Sequence, residues 1–278
     1  MATGGLMGGI YKPLTDQQIE TIHKKSLDIL EQVGIGYEDN LEALEILEKA
    51  GCKIDAKNRK IFMPRDLVTE MINKAPGEFT LYSRDGNNDL FIGKDRVYAG
   101  TGGTTVRILD LETGKMRDTF LEDQYHISKL VDTLDNIHFY QSAVVPLDIP
   151  GERYDPNILF AAMMGTNKHI MFGCNFRSGL KESFKIASLV VGGDENLRAK
   201  PVFSISSCVI ISPLKFCSQS VANVQQAAKL GIPATITCAP MSGSTAPMTM
   251  AGTLLQTHAE QLAGITVHQL TVPGAPVL

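Results

Sequence analysis

Several features are absent from the 278-residue sequence, and each absence argues against a class of protein. No apolar run approaches the roughly 20 residues that cross a bilayer, so we expect no membrane-spanning helix. The net charge is only −4, which gives no reason to expect a nucleic acid or an anionic membrane as a partner. The segment MATGGLMGGIYKPL (1–14) has neither a basic region nor a continuous apolar core, so we expect no secretory signal there.

The cysteines show no spacing that is typical of a disulfide framework or a metal site. The sequence holds five cysteines, an odd number, and none of them forms a Cys-x-x-Cys pair. This pattern favours buried or free thiols in a reducing cytoplasm over a disulfide framework. The five are Cys52, Cys174, Cys208, Cys217 and Cys238.

Residues 1–136 read as an N-terminal region of helices and β-hairpins. Helices are predicted near 15–34, 41–50, 65–74 and 119–134, and hairpin strands are predicted over 79–100 and 106–118. Two capping-box patterns, Thr15-x-x-Gln18 and Thr119-x-x-Glu122, predict helix starts. Glu112-Thr113-Gly114 predicts the turn of the second hairpin.

Residues 137–278 alternate between short apolar strands and helices, which is typical of a parallel α/β sheet. The predicted strands are HFYQSAVVPL (138–147), HIMFGCNF (169–176), PVFSISSCVIISP (201–213) and PATITCAP (233–240), and a fifth begins at 275–278. The predicted helices lie near 155–166, 180–191, 215–230 and 247–270. No G-x-G-x-x-G follows the first strand and no P-loop occurs, which weakens a nucleotide-binding Rossmann interpretation. We therefore predict the first half of a (β/α)8 TIM barrel, truncated near strand 5, with its site at the carboxyl ends of the strands.

The last 78 residues carry very little charge. From Pro201 to Leu278 the charged residues are Lys215, Lys229 and Glu260. Surface helices normally have a charged face, so we expect this tail to be enclosed, and the final helix to be packed by the rest of a barrel. For Glu260 we favour a structural pair with His258 or a surface lysine over a buried polar site.

Metal and thiol chemistry are weakly supported. His169 and Cys174 are five residues apart on one predicted strand and so face opposite sides, and we predict no zinc site. Cys238 with His258 stays open as a nucleophile pair, although a lone cysteine at a barrel strand is more often part of the core.

Two loops are candidates for function. Residues 98–105, YAGTGGTT, are either a hairpin loop that needs positive φ or an insertion over a barrel mouth with Tyr98 as an aromatic wall. No helix follows this loop directly, which argues against a phosphate site.

Residues 239–249, APMSGSTAPMT, form either a close-approach surface for a flat or bulky ligand or a tight packing corner. Pro247 suits the first turn of the next helix, with Ser244 or Thr245 as cap.

The segment APMSGSTAPMTMAGTLLQTHAEQLAGITVHQLTVPGAPVL (239–278) resembles the signature region of the trimethylamine methyltransferase superfamily, which includes the glycine betaine methyltransferases. Further blocks resemble the family in the family's order: IHKKSLDILEQVGI (22–35), PGEFTLYSRDGNNDL (76–90), VYAGTGG (97–103), ILDLETGKMRDTFLED (108–123), VVPLDIP (144–150) and SPL (212–214).

This resemblance implies a TIM barrel that moves a methyl group from a quaternary or tertiary amine to the Co(I) of a corrinoid on a separate protein, with no metal bound by this chain. We also expect a homo-oligomer. Aromatic faces suit the cationic amine, and shielding from water suits the transfer. The candidate substrate-binding residues are Tyr98, Thr101, Gly102, Gly103, Phe172 and Phe176. The candidate corrinoid-facing residues are Pro240, Met241, Gly243 and Thr245.

Family members are considerably longer, so the sequence is expected to be an N-terminal part whose catalytic residues lie beyond Leu278. The region where trimethylamine enzymes carry pyrrolysine also lies beyond that point, so the substrate stays open. A non-catalytic truncated paralogue that at most binds a corrinoid protein is the alternative. An unrelated barrel lyase or aldolase would need a Schiff-base lysine, and Lys215 and Lys229 are both predicted to be helical.

Overall fold

The computed structural model describes residues 6–9, 11–38 and 41–278. The α-helices in these residues are numbered in chain order: α1 Asp16–Asp28, α2 Leu44–Lys49, α3 Arg65–Lys74, α4 Leu121–Asp132, α5 Tyr154–Gly165, α6 Arg177–Val191, α7 Asp194–Ala199, α8 Ser218–Leu230 and α9 Met250–Thr271. A π-helical turn, Ile29–Val33, continues α1, and a 3-10 turn, Gly151–Arg153, precedes α5.

The strands are short. They are β1 Leu6–Met7, β2 Ile35–Tyr37, β3 Lys53–Asp55, β4 Lys60–Phe62, β5 Phe79–Leu81, β6 Leu90–Ile92, β7 Arg96–Val97, β8 Arg107–Leu109, β9 Met116–Asp118, β10 Tyr140–Gln141, β11 Ile170–Gly173, β12 Phe203–Cys208, β13 Ile210–Ile211, β14 Lys215–Phe216 and β15 Ala234–Thr237. None of the helices in the described part of the chain combines the length and hydropathy that a membrane crossing requires.

The chain divides into two compact units. Unit 1 holds the described residues up to Gly8 together with Gly77–Ile205, and unit 2 holds those of Gly9–Pro76 together with Ser206–Leu278. Strand β12 begins in unit 1, and its last three residues belong to unit 2. The domain boundary near residue 136 stays a prediction.

Unit 1 is a mixed α/β arrangement built on the sheet order β10-β11-β12. β10 and β11 are parallel, with Tyr140 opposite Ile170. Helix α5 packs against α4 and α6, and α6 packs against α7. Two antiparallel hairpins, β5–β6 and β8–β9, complete this unit with the pair β1–β7. The predicted α/β class is therefore confirmed, while no barrel closure is found in the described residues.

A buried lysine from another segment of unit 1 binds the carboxyl end of α4. Lys168 is 5% exposed, and its ammonium donates to the carbonyls of Val131, Leu134 and Ile137 at 2.8, 2.7 and 2.7 Å. The last carbonyls of a helix have no partner within the helix, and a cation is favoured at that end of the helix dipole. The ammonium adds a further donor to the carbonyls of Val131 and Leu134, which also accept the amides of Leu134 and Ile137, and it binds the Ile137 carbonyl beyond the helix.

A second buried residue, His169, joins two segments of unit 1. Its Nδ1 donates to the carbonyl of Tyr82 at 2.9 Å, so its Nε2 accepts from the hydroxyl of Ser204, also at 2.9 Å. Burial lowers the pKa of His169 to about 4. The ring is therefore neutral in the folded protein at physiological pH.

We expect acid to destabilise unit 1 through this ring. The folded pKa lies below the unfolded value, so the stabilisation is complete above about pH 6.5 and is lost as the pH falls toward 4. Between pH 7.5 and 5.5 this single group should cost about 1 kcal/mol of unfolding free energy. Urea unfolding at both pH values, compared between wild type and His169→Gln, measures it. The exposed His126→Gln variant is the control and should keep the wild-type pH dependence.

In unit 2, helix α9 lies in the middle. It packs against α1, α2, α3, α8 and β15, and its side chains are buried over most of the stretch from Gln256 to Gln269. The prediction that this charge-poor helix is enclosed is confirmed. The expectation that the rest of a barrel would be needed to enclose it is wrong for these positions, because helices of the same unit already cover it.

Unit 2 also contains the sheet β13-β14-β2-β4-β3, in which β14 and β2 are parallel and the other pairs antiparallel. In the sheet that contains β12, the neighbouring strand on one side is β15. Val277 forms a parallel bridge with Ala234, and the amide of Leu278 donates to the carbonyl of Ala234 at 2.9 Å. The predicted start of a fifth strand is therefore present.

Three local predictions are wrong. The hydroxyl of Thr119 donates to the carbonyl of Val145 instead of capping α4, whose N-cap residue is Phe120. Helix α9 begins later than predicted, with Thr249 as its cap in place of Ser244 or Thr245. Lys215 lies in β14 and not in a helix. By contrast, Thr15 and Gln18 form the predicted capping box of α1.

Candidate functional site

The glycine-rich segment 98–105 of unit 1 runs beside β10. Gly100 bridges Phe139 and Thr105 bridges Val144, both in parallel. Between them, Thr101 Oγ1 donates to the carbonyl of Gln141 at 2.7 Å and accepts its amide at 2.9 Å. The strands that flank the segment pair elsewhere, β7 with β1 and β8 with β9, so the segment is not a hairpin loop. It is fixed along the sheet edge.

Glycine is required at two positions of this segment. A Cβ on Gly100 would lie 2.3 Å from the ring of Phe139. Gly103 has φ +141°, a conformation that side-chain-bearing residues rarely adopt. Gly102 and Gly103 are exposed, so the backbone here is open to a ligand.

The three predicted aromatic walls differ in accessibility. Tyr98 is half-buried, its ring stands edge-on to His138 at 5.4 Å, and its hydroxyl donates to the carbonyl of Phe91. Phe176 is half-buried at the start of α6. Phe172 is fully buried, with its ring 5.8 Å from that of Phe203.

A buried carboxylate that the sequence did not reveal lies at the carboxyl end of β11. Asp155, on α5, is 0% exposed. It accepts the amide of Phe176 at 2.8 Å, that of Asn175 at 3.1 Å and the thiol of Cys174 at 3.4 Å. These three residues connect β11 to α6. Asp155 therefore holds the strand end in place.

Burial raises the pKa of Asp155, and the hydrogen bonds from the following segment oppose that rise. Helix α6 approaches so closely that a Cβ on Gly179 would lie 2.1 Å from the carboxylate. In sequence, an aspartate in the first turn of a helix is an ordinary feature, so no local signal separates Asp155 from a surface residue.

In unit 2, residues 240–246 follow β15 and form a compact turn. The carbonyl of Met241 accepts the amides of Ser244, Thr245 and Ala246, each at 3.0 Å, and the Met241 amide donates to Thr245 Oγ1 at 2.9 Å. Gly243 has φ +78°. Pro240 and Thr245 are half-buried, whereas Met241 is 60% exposed. The predicted corrinoid-facing residues are thus brought together in one exposed, uncharged turn.

Glu260 does not form the ion pair that we favoured from the sequence. Its carboxylate is 0% exposed and accepts from Ser212 Oγ at 2.8 Å, the Leu214 amide at 3.0 Å and Gln256 Nε2 at 2.9 Å. His258 instead shares a hydrogen bond with His23, with 3.0 Å between the ring nitrogens. Glu260 thus occupies a buried polar site, which was the less favoured alternative.

The Cys238 thiol lacks the chemistry of a nucleophile. Burial and then the charge of Glu260 raise the pKa of Cys238 to about 12, so the thiol stays protonated at neutral pH. His258, the partner considered from the sequence, is bonded to His23. In the described ranges, no group of three or more His, Cys, Asp or Glu side chains could hold a metal ion.

Unit 1 also contains a cavity of about 570 Å³, which none of the predicted site residues lines. Its lining includes Tyr82, Arg84, Asp85, Lys200 and Val202. Lys200 and Val202 precede β12, and Tyr82 and Arg84 bond to His169 and Asn167, which precede β11. The cavity therefore lies near the amino ends of these strands and not at their carboxyl ends. The guanidinium of Arg84 is already bonded to Asn167.

Comparison with known proteins identifies the family. The pattern of the trimethylamine methyltransferase (MTTB) family matches residues 7–278, and the chain belongs to that family. Trimethylamine methyltransferase MttB of Desulfitobacterium hafniense (strain DCB-2) is 33% identical over 264 residues, which are 95% of this chain and 53% of the relative.

Two further relatives have sequence identities to the chain in the same range. A glycine betaine methyltransferase of Desulfitobacterium hafniense (strain Y51) is 32% identical over 269 residues, 96% of this chain and 55% of the relative. Trimethylamine methyltransferase MttB of Methanosarcina thermophila is 30% identical over 268 residues, 95% of this chain and 55% of the relative. The chain spans about half the length of the curated relatives that it matches.

Proposed function

We propose that the protein takes part in methyl transfer from a quaternary or tertiary methylated amine to the Co(I) of a corrinoid carried by a partner protein. The observation that carries this proposal is the match along 95–96% of the chain to trimethylamine and glycine betaine methyltransferases. The same proposal includes a half-barrel architecture with the boundary near residue 136, a homo-oligomeric assembly and a cytoplasmic location. The parallel pairs β10–β11 and Ala234–Val277 are compatible with such a half-barrel.

In this reaction the nitrogen keeps the electron pair of the broken carbon–nitrogen bond, and Co(I) supplies the two electrons of the new cobalt–carbon bond. The chain's own task is to bind the cation, align the methyl group and exclude water. Tyr98 and Phe176 would offer aromatic faces to the ammonium, and the fully buried Phe172 completes the proposed aromatic set. Thr101, Gly102 and Gly103 would form the adjacent backbone edge. Pro240, Met241, Gly243 and Thr245 would face the corrinoid, and their exposed, charge-free turn suits a large flat ring.

The direct test is to incubate the protein with a Co(I) corrinoid protein and with trimethylamine, glycine betaine, carnitine or proline betaine in turn. The methyl-Co(III) absorption spectrum should develop with one of these amines. Absence of the spectrum with all four would contradict methyl transfer by this chain.

A variant series tests the aromatic wall. Tyr98→Ala should raise the KM for the cationic amine about tenfold, because a cation over an aromatic ring is worth about 1–2 kcal/mol when desolvated. Tyr98→Phe keeps the ring and should change KM much less. Tyr11→Ala, at an exposed tyrosine, is the matched control. Equal effects of the alanine and phenylalanine variants would show that the hydroxyl matters and not the ring.

A second candidate function is non-catalytic binding of the corrinoid protein, for which the exposed, uncharged turn 240–246 would be the contact surface. Sedimentation of the two proteins together distinguishes the candidates, because binding without the methyl-Co(III) spectrum supports only the second.

A further inference from the structure

Glu260 connects two segments of unit 2 that follow strand ends. The first is 212–214, between β13 and β14, where the carboxylate accepts from Ser212 Oγ and from the Leu214 amide. The second is the turn 240–246 after β15, which Glu260 reaches through Gln256 one helical turn earlier. Gln256 Nε2 donates both to Glu260 Oε1 and to the carbonyl of Thr245, each at 2.9 Å.

The segment 212–214 needs this support. Leu214 has φ +47°, a left-handed conformation that is unfavourable for a residue with a side chain unless its surroundings hold it there. The hydrogen bond from the Leu214 amide to Glu260 Oε1 is one such restraint. A buried carboxylate is costly unless donors surround it, and here three neutral donors do so.

We propose that Glu260 is a positioning residue that fixes the segment 212–214 and, through Gln256, the turn 240–246. The second part rests on the proposed function, in which that turn faces the corrinoid. Glu260 touches no reacting atom and acts through the two segments that it holds.

The geometry allows the charge and the hydrogen bonds to be separated. In Glu260→Gln, the amide oxygen can take the place of Oε1 and accept from Leu214 and Gln256, while the amide nitrogen donates to the Ser212 hydroxyl, which also accepts. In Glu260→Leu, a side chain of similar size offers no acceptor. The hydroxyl of Ser212 and the amide of Leu214 then lose their acceptor, and Gln256 loses the acceptor that orients its donation to the carbonyl of Thr245.

Hydrogen–deuterium exchange measured by mass spectrometry on the 278-residue protein tests the proposal. In Glu260→Leu, the amides of Ser212 and Leu214 and those of 243–246 should exchange about tenfold faster than in wild type, Pro213 having no exchangeable amide. In Glu260→Gln, exchange in both segments should return to within about threefold of wild type. Glu48→Leu and Glu48→Gln make the same changes at an exposed position of α2 and should leave both segments unchanged.

A third variant distinguishes local loss of order from global unfolding. Gln256→Leu removes the link to the turn and keeps the bonds of Glu260 to Ser212 and Leu214, so 243–246 should exchange faster while 212–214 does not. Unchanged exchange of both segments in Glu260→Leu, or equal acceleration throughout unit 2 in every variant, would overturn the proposal.

Methyl transfer is measured on the same variants. Glu260→Leu should lower kcat at least tenfold more than Glu260→Gln, with little change in the KM for the amine. If the wild-type chain transfers no methyl group, the proposed function fails, and the exchange pattern still decides whether Glu260 positions the two segments.

Discussion

Replacing Asp155 by alanine should lower the free energy of unfolding by about 3 kcal/mol. The carboxylate is the acceptor for the amides of Asn175 and Phe176, and a hydrogen bond to a charged group contributes about 1.5–3 kcal/mol. Burial raises the pKa of Asp155, which means that keeping its charged carboxylate away from water is unfavourable in the wild type. The alanine variant no longer has this unfavourable contribution at neutral pH, and this offsets part of the loss. Chemical denaturation with urea, followed by circular dichroism, measures the difference.

Matched variants show whether the hydrogen bonds are responsible. Asp155→Asn keeps one acceptor oxygen and should lose less than the alanine variant. Asp95→Ala, at an exposed aspartate of unit 1, should change the unfolding free energy by less than about 0.5 kcal/mol. A small loss in Asp155→Ala would mean that the segment between β11 and α6 finds other acceptors, and the account of the strand end given above would be wrong.

The second large effect is expected at the contact between α4 and α5. A Cβ on Gly165 would lie 1.9 Å from Ser128 Oγ and 2.8 Å from the backbone nitrogen of Lys129. The serine can rotate, but the backbone of α4 cannot yield without separating the two helices. Overpacking of this kind costs about 1–3 kcal/mol, and we expect Gly165→Ala to lie at the upper end of that range.

The control for this variant is Gly77→Ala. A Cβ on Gly77 meets nothing within 4 Å, so the same change should be neutral or slightly stabilising there. The double variant Ser128→Ala with Gly165→Ala removes the hydroxyl and leaves the backbone contact. If the double variant recovers full stability, the hydroxyl and not the backbone limits how closely the helices approach.

Local patterns in the sequence predicted several elements correctly. Helix α3 has the predicted bounds 65–74, and the hairpin β8–β9 turns where Glu112-Thr113-Gly114 indicated, with the amide of Thr113 bonded to Asp110. The capping box at Thr15 is also present. These elements depend on neighbours within a few residues, which sequence periodicity and cap residues report directly.

Errors arose where distant segments compete for the same groups. Thr119 was predicted to cap a helix, but its hydroxyl bonds a carbonyl 26 residues away. The cap of α9 was placed too early: Thr245 Oγ1 accepts the amide of Met241 within the turn, and Thr249 Oγ1 accepts the amide of Gly252 as the actual cap. A tertiary contact of this kind leaves no trace in the spacing of the residues.

The candidate site divides in the same way. Its loops were predicted because runs of glycine, proline and small residues mark irregular backbone, and the family signature lies in one of them. Asp155 and the role of Glu260 could not be read from the sequence, since their partners outside their own helices lie 19 to 48 residues away. The low charge of the last 78 residues did indicate burial, but not that α1 and α3 would supply the cover.

The ammonium of Lys168 has a consequence for the response of unit 1 to ionic strength. The exposed pair between Lys185 and Glu182 on α6 depends on charges in water, where dissolved salt screens them. Lys168 meets carbonyl dipoles at 5% exposure, so mobile ions cannot come between the charge and its acceptors. The carboxyl end of α4 should therefore stay ordered in concentrated salt, even where the exposed ion pair on α6 is screened.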